Sequence, residues 1–283
     1  MKKILFVLLL LAISLTISAS IIDSLTTSLN EPNVNKSKIY VKLAAEYLSF
    51  SPEKSIENAK LAIEHAINDE GRVDYKNQLG VAFEYSGRYQ EALNEYTEAL
   101  SLAESNSYVR GAGVSLLNIA IAKTQLADYA VALEFALKAI KIFESSNNKD
   151  HLISAYNNLG NIYLNLEDPI QALHYYEIVL QNRQESGDEV GLAKILHNIA
   201  LVHVASEDYD KATDFLEQAL KSMRLIDDKY GMAFCYTNLS NIYLLEEKYI
   251  ESNNYNFLAL KIFEEIGNPE GVAHTCNLLG STY

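Results

Sequence analysis

Tryptophan is absent from this 283-residue chain, cysteine occurs twice and proline four times. Two cysteines, Cys235 and Cys276, are too few for a disulfide framework. Without a CxxC spacing they also offer neither a zinc site nor a redox pair. They read as buried thiols, with a bridge left open by an oxidising location. Positive charge is scarce: 23 Lys and Arg stand against 37 Asp and Glu, and no basic run exceeds a pair. The resulting field repels phosphate backbones and anionic lipid, and nucleic-acid binding is set aside. Catalytic signatures are missing as well. No HExxH, GxSxG or glycine-rich phosphate loop occurs, and His65, His151, His174 and His274 each stand alone. His197 and His203 are six apart, on different sides of a helix. The sequence therefore offers no catalytic residue, metal ligand or cofactor site, and it reads as non-enzymatic.

Long apolar runs are confined to the N-terminus. Lys2 and Lys3 precede an apolar stretch from Ile4 to Ile17, followed by Ser18, Ala19 and Ser20. This layout predicts a secretory signal peptide over residues 1–20, cleaved before Ile21. The uncharged span from Ile4 to Ile22 keeps an uncleaved anchor as the competing reading. Residues 21–37, rich in Ser, Thr and Asn with Pro32, read as a lead-in linker to an array over 38–283. The expected location is exported, periplasmic or in the cell envelope.

What the chain has in abundance is repetition. Gly80, Ala120, Gly160, Ala200, Ser240 and Gly280 mark one register of 40 residues, without insertions. Ala92, Ala132, Ala172, Ala212 and Ser252 mark a second, and Tyr89, Tyr129, Pro169, Tyr209 and Tyr249 a third. In a fourth, Gly71, Gly111, Gly191, Gly231 and Gly271 stand ahead of the first helix of their units. Between the markers, apolar residues recur at three and four positions, as in Ala172, Leu173, Tyr176, Val179 and Leu180, which is helical spacing. Each unit is read as two helices, A (about Leu152 to Leu166) and B (about Pro169 to Arg183). Small residues are expected where A crosses B, and a Leu at 160 or 172 should overpack by roughly 1–3 kcal/mol. Phe135, Tyr175, Phe215 and Tyr255 are expected to fill the space between adjacent repeats.

The string from Asn158 to Leu180, with Leu159, Gly160, Tyr163, Ala172, Tyr176 and Val179 in place, resembles the tetratricopeptide repeat. The resemblance runs from Tyr40 to Tyr283 and implies an all-α, right-handed superhelical solenoid of antiparallel helix pairs, six pairs and the opening helix of a seventh. Two departures stand out. The period is 40 rather than 34 residues, and the usual Trp is replaced by Lys76, Leu116, Tyr156, Leu196, Tyr236 and Cys276. The longer period resembles the 40-residue subclass. With the leader, it also resembles the exported sensory regions of Bacteroidetes-type histidine kinases.

A solenoid of this kind implies a concave groove lined by A helices, where a protein or peptide ligand binds. By the resemblance, Asn157 and Asn161 line it, with Lys194, His197 and Asn241 at equivalent places. Asn118, Asn158, Asn198 and Asn238 form an asparagine ladder just before the Leu or Ile of the motif. Side-chain amides in a row either hold the main chain of an extended peptide or brace neighbouring A helices. The function expected is a non-enzymatic, exported scaffold for a protein or peptide. The alternative is the sensory region of a membrane signal-transduction protein whose output domain lies elsewhere. Contact with a membrane is expected only through an uncleaved N-terminal segment or a missing C-terminal part.

Overall fold

The computed structural model describes residues 20–281, so residues 1–19 of the expected leader, and with them most of the possible anchor, lie outside the described residues. Among the described residues every regular element is an α-helix. None of these helices is long and apolar enough to cross a membrane. Residues 20–28, the last of the expected leader and the start of the segment expected as a lead-in linker, are helical (α1, described in part), and the array begins at Lys36. The short helices α2 (Lys36–Tyr47) and α3 (Pro52–Glu64) come first. Three pairs of long helices follow: α4 (Asp69–Tyr85) with α5 (Tyr89–Ser105), α6 (Val109–Gln125) with α7 (Tyr129–Ser145), and α8 (Lys149–Asn165) with α9 (Pro169–Ser186). Next come α10 (Glu189–Ala205) with α11 (Tyr209–Leu225), α12 (Lys229–Leu245) with α13 (Tyr249–Ile266), and finally α14 (Pro269–Ser281).

The six residues beyond the common period lengthen the helices, most of which span 17 residues, and most links between these long helices hold three. The glycines expected ahead of the A helices lie instead inside the first turn. There the N-cap side chain accepts their amide hydrogens, as Asn68 does from Gly71, Asp188 from Gly191 and Asp228 from Gly231. This is the N3 position, and the cap satisfies one of the helix's orphan donors.

The chain divides into two compact units, Met1–Asn158 and Leu159–Tyr283, with the division inside α8. The core of the first gathers Ala44, Ile56, Leu79, Phe83, Ala92, Tyr96 and Ile119. That of the second gathers Leu196, Ala200, Ala212, Leu216, Leu239, Ala259 and Phe263. In each, a glycine of the first register sits against a Tyr 16 residues later on the B helix. A Cβ added to Gly80 would lie 2.2 Å from the Tyr96 ring, and one added to Gly160 the same distance from Tyr176. Where the first register has Ser240, its hydroxyl instead meets the Ser252 hydroxyl, 12 residues later on the B helix, at 2.9 Å. At Gly80 and Gly160 the missing side chain thus makes room for a large ring, as close packing requires.

Three of the four members of the aromatic register differ from expectation. Tyr175, Phe215 and Tyr255 stack within their own helix pair, on Tyr163, His203 and Tyr243, with centroids 5.7, 5.4 and 5.4 Å apart. A Cβ–Cα bond that leans toward the helix N-terminus brings these rings level across the pair.

Candidate functional site

The second unit contains a cleft of about 280 Å³ on the side where the A helices α10 and α12 lie near each other. One wall is α10, which contributes Lys194, His197 and Asn198. These are spaced three and four apart and so share a face. The other wall is the start of α12, with Asp228, Tyr230, Gly231 and Phe234, and Met223 from the last turn of α11 lies buried at the base. Tyr230 and Phe234 are exposed by 54% and 38%, and their rings lie 4.7 Å apart. Phe234 is held from behind by Phe263, edge to face at 5.5 Å.

Charge in the cleft is divided. Lys194 is exposed on one rim. On the other, Asp228 caps α12 by accepting the Gly231 amide at 2.9 Å. His197 between them is held below the ordinary histidine range by burial, against the opposing pull of the Asn198 side chain. Its Nε2 pairs with Asn238 Nδ2 at 2.9 Å. A neutral imidazole that accepts this bond carries its proton on Nδ1. The cleft therefore presents one cation, one capping carboxylate, amide groups and a wall of aromatic surface. Cys235, behind Met223, has its thiol pushed up to about 12 by burial and is an unreactive packing residue. Among the described residues no group of three or more His, Cys, Asp or Glu is arranged to hold a metal ion.

The nine residues singled out in the sequence separate into three groups. Lys194, His197 and Asn198 come together in the cleft, with Asn238 bonded to His197 at its edge. Asn118 and Asn158 are engaged in the first unit. Asn118 donates to Asn77 Oδ1 at 3.0 Å, and Asn77 in turn donates to Ser115 Oγ at 2.9 Å, tying α4 to α6. Asn158 donates to the Ser154 carbonyl of its own helix, and Asn157 beside it is half-buried. In the second unit Asn161 accepts the Tyr176 hydroxyl at 2.6 Å, and Asn241 is half-buried on α12. Two rungs of the ladder, Asn118 to Asn77 and Asn238 to His197, thus join A helices across 41 residues, the bracing role weighed beside peptide binding. Sequence reasoning missed Met223, Asp228, Tyr230 and Phe234. The available signal was Met223, which stands where the 40-residue register elsewhere has Phe143 and Phe263.

A family model described as tetratricopeptide repeat matches residues 72–145, 111–185, 151–225 and 191–265, more than half of the chain. No curated protein matches. Among solved structures, the apo form of RapI is 18% identical, with a TM-score of 0.66 over 86% of this chain and 88% of that one. A Rap protein complexed with competence and sporulation factor is 15% identical, with a TM-score of 0.69 over 92% of this chain and 78% of that one. Aspartyl phosphate phosphatase F from Bacillus subtilis is 20% identical, with a TM-score of 0.63 over 85% of this chain and 62% of that one. At these identities the likeness is one of fold.

Proposed function

The chain belongs to the tetratricopeptide-repeat family, and from that premise we propose that it is a non-enzymatic scaffold that holds a protein or peptide ligand along its A helices. The observation that carries this reading is the α10–α12 cleft, which collects Lys194, His197 and Asn198 beside the exposed rings of Tyr230 and Phe234. Exposed aromatic surface rimmed by polar groups is the usual composition of a recognition site. A structural neighbour that holds competence and sporulation factor supports the use of such a helix array to hold a ligand. Asn161 and Asn241 are proposed as further contacts within the second unit, and Asn157 and Asn158 as contacts of the first. The two lysines and the apolar run at the N-terminus support a further part of the reading, that the scaffold is exported.

Selection of random peptides on the immobilised full-length chain tests the binding role. Enriched peptides are expected to bind the double variant Lys194→Glu, Tyr230→Ala at least tenfold more weakly, a loss of about 1.4 kcal/mol. Both side chains are on the surface, so the thermal melt should move little. Equal binding by the variant, or no enrichment on the wild type, overturns the reading.

A further inference from the structure

The last turn of each B helix carries one residue of the 40-residue register Ala103, Phe143, Arg183, Met223 and Phe263, beside the first turn of the next A helix. A bulky group occupies that place in the other repeats. Phe263 covers Gly271 so closely that a Cβ added there would lie 2.3 Å from its ring. Phe143 lies against the His151 ring, centroids 5.2 Å apart. Where the register has Ala103, the Tyr108 ring covers Gly111, again 2.3 Å from an added Cβ. Arg183 lays its stem over Gly191 and pairs with Asp188 at 3.0 Å. At Met223 the covering group is a narrow thioether, and here the 280 Å³ cleft opens.

We propose that this cleft receives an aromatic side chain of the bound peptide, which takes the place that Phe143, Phe263 and the Tyr108 ring hold in other repeats. The proposal rests on the peptide-binding reading above and names the residue that anchors the ligand. Its volume lies just below the roughly 300–1,000 Å³ of pockets that enclose whole small molecules, a size for one side chain. Its lining suits a ring. Met223 brings a polarisable sulfur to the base, and Tyr230 and Phe234 offer faces and edges for tilted ring contacts. Lys194 on the rim makes no ion pair with any described residue and complements an acidic residue beside the aromatic one.

The test uses the full-length chain labelled with nitrogen-15 and two capped peptides, acetyl-Ser-Glu-Phe-Ser-amide and its alanine analogue acetyl-Ser-Glu-Ala-Ser-amide. The phenylalanine peptide is expected to shift the Gly231 and Asn198 amide signals saturably, with an affinity at least tenfold above that of the analogue. Met223→Phe fills the cleft and should abolish these shifts, whereas Met223→Leu should keep them. The filled variant should melt like the wild type, because the protein already seats phenylalanine at this place in two repeats. Equal binding of the two peptides, or shifts that survive Met223→Phe, overturn the aromatic anchor. If peptides selected on the wild-type chain bind Met223→Phe undiminished, the anchor fails and the scaffold role stands; if no peptide is selected, both fail.

Discussion

Glu84 stands where the other repeats carry Thr124, Leu164, Val204 and Leu244, and it is half-buried there. Burial pushes its carboxyl from an ordinary value near 4.5 up to about 7, against the lowering influence of the Tyr96 hydroxyl. The unfolded chain releases this proton near 4.5 and the folded chain near 7. Between those values the unfolded state binds fewer protons, and stability falls as pH rises through the window. Above it the penalty is complete, about 3 kcal/mol at 1.36 kcal/mol per pKa unit. Glu84→Gln is expected to raise unfolding free energy by up to about 3 kcal/mol at pH 8 and by almost nothing at pH 4, as measured by urea titration. A gain of equal size at both pH values would sink this account.

Gly160 and Tyr176 provide a second prediction for single residues. Alanine would add helix propensity of about 1 kcal/mol, but its Cβ would stand 2.2 Å from the Tyr176 ring. Overpacking of this kind costs roughly 1–3 kcal/mol, so Gly160→Ala should destabilise overall. Pairing it with Tyr176→Leu copies the Ala200 and Leu216 arrangement already present. The double variant should therefore recover part of the loss, with a coupling energy above about 0.5 kcal/mol in a double-mutant cycle. Additive effects would show that the two sites do not touch. The need for a small residue was legible in the sequence, since Gly, Ala and Ser recur there. Its partner was not, because a helix crossing decides which residue of the second helix comes opposite.

The links show how much of an element is written in three residues. A residue with positive φ recurs every 20 positions: Gly87, Ser107, Ala127, Asn147, Glu167, Gly187, Glu207, Asp227, Glu247 and Gly267. The residue after it closes the preceding helix, as when Asp168 N–H donates to the Tyr163 carbonyl at 2.9 Å. The same residue then caps the next helix, since the Asp168 carbonyl accepts from Ala172 at 3.0 Å. One residue thus ends one helix and begins the next, and this sets the length of the link. Only three of the ten positions are glycine, and for this reason the 20-residue half-period was hidden behind the 40-residue one.

Left-handed backbone costs a residue with a Cβ about 1–2 kcal/mol, and glycine gives back part of that advantage through unfolded-state entropy. Ala127→Gly should therefore stabilise the protein by about 0.5–1 kcal/mol. Gly187→Ala should destabilise by a similar amount, since its φ is 68° and nothing else stands near its Cβ. Thermal melts of the two variants check this, and shifts of the same sign would contradict it.

At the scale of the whole molecule, each unit is built from helix pairs that pack on their sequence neighbours, the plan of a repeat array. A leader at one end of such an array would act apart from its packing. If export is correct, N-terminal sequencing of the protein from the cell envelope should begin at Ile21. A form that begins at Met1 would favour the uncleaved anchor.

Helix content, pair order and the 40-residue period follow from sequence alone, because apolar spacing and small-residue positions are local and repeat without insertion. The nine proposed ligand contacts were a different matter. Identical asparagines in one register have different partners: Asn118 braces an A helix through Asn77, whereas Asn158 bonds back to its own helix. The cleft was decided by tertiary structure. It exists because Met223, Asp228 and Phe234, which no motif of the sequence singles out, meet Lys194 and His197 where one helix end passes another, and the volume left there depends on all of these side chains together.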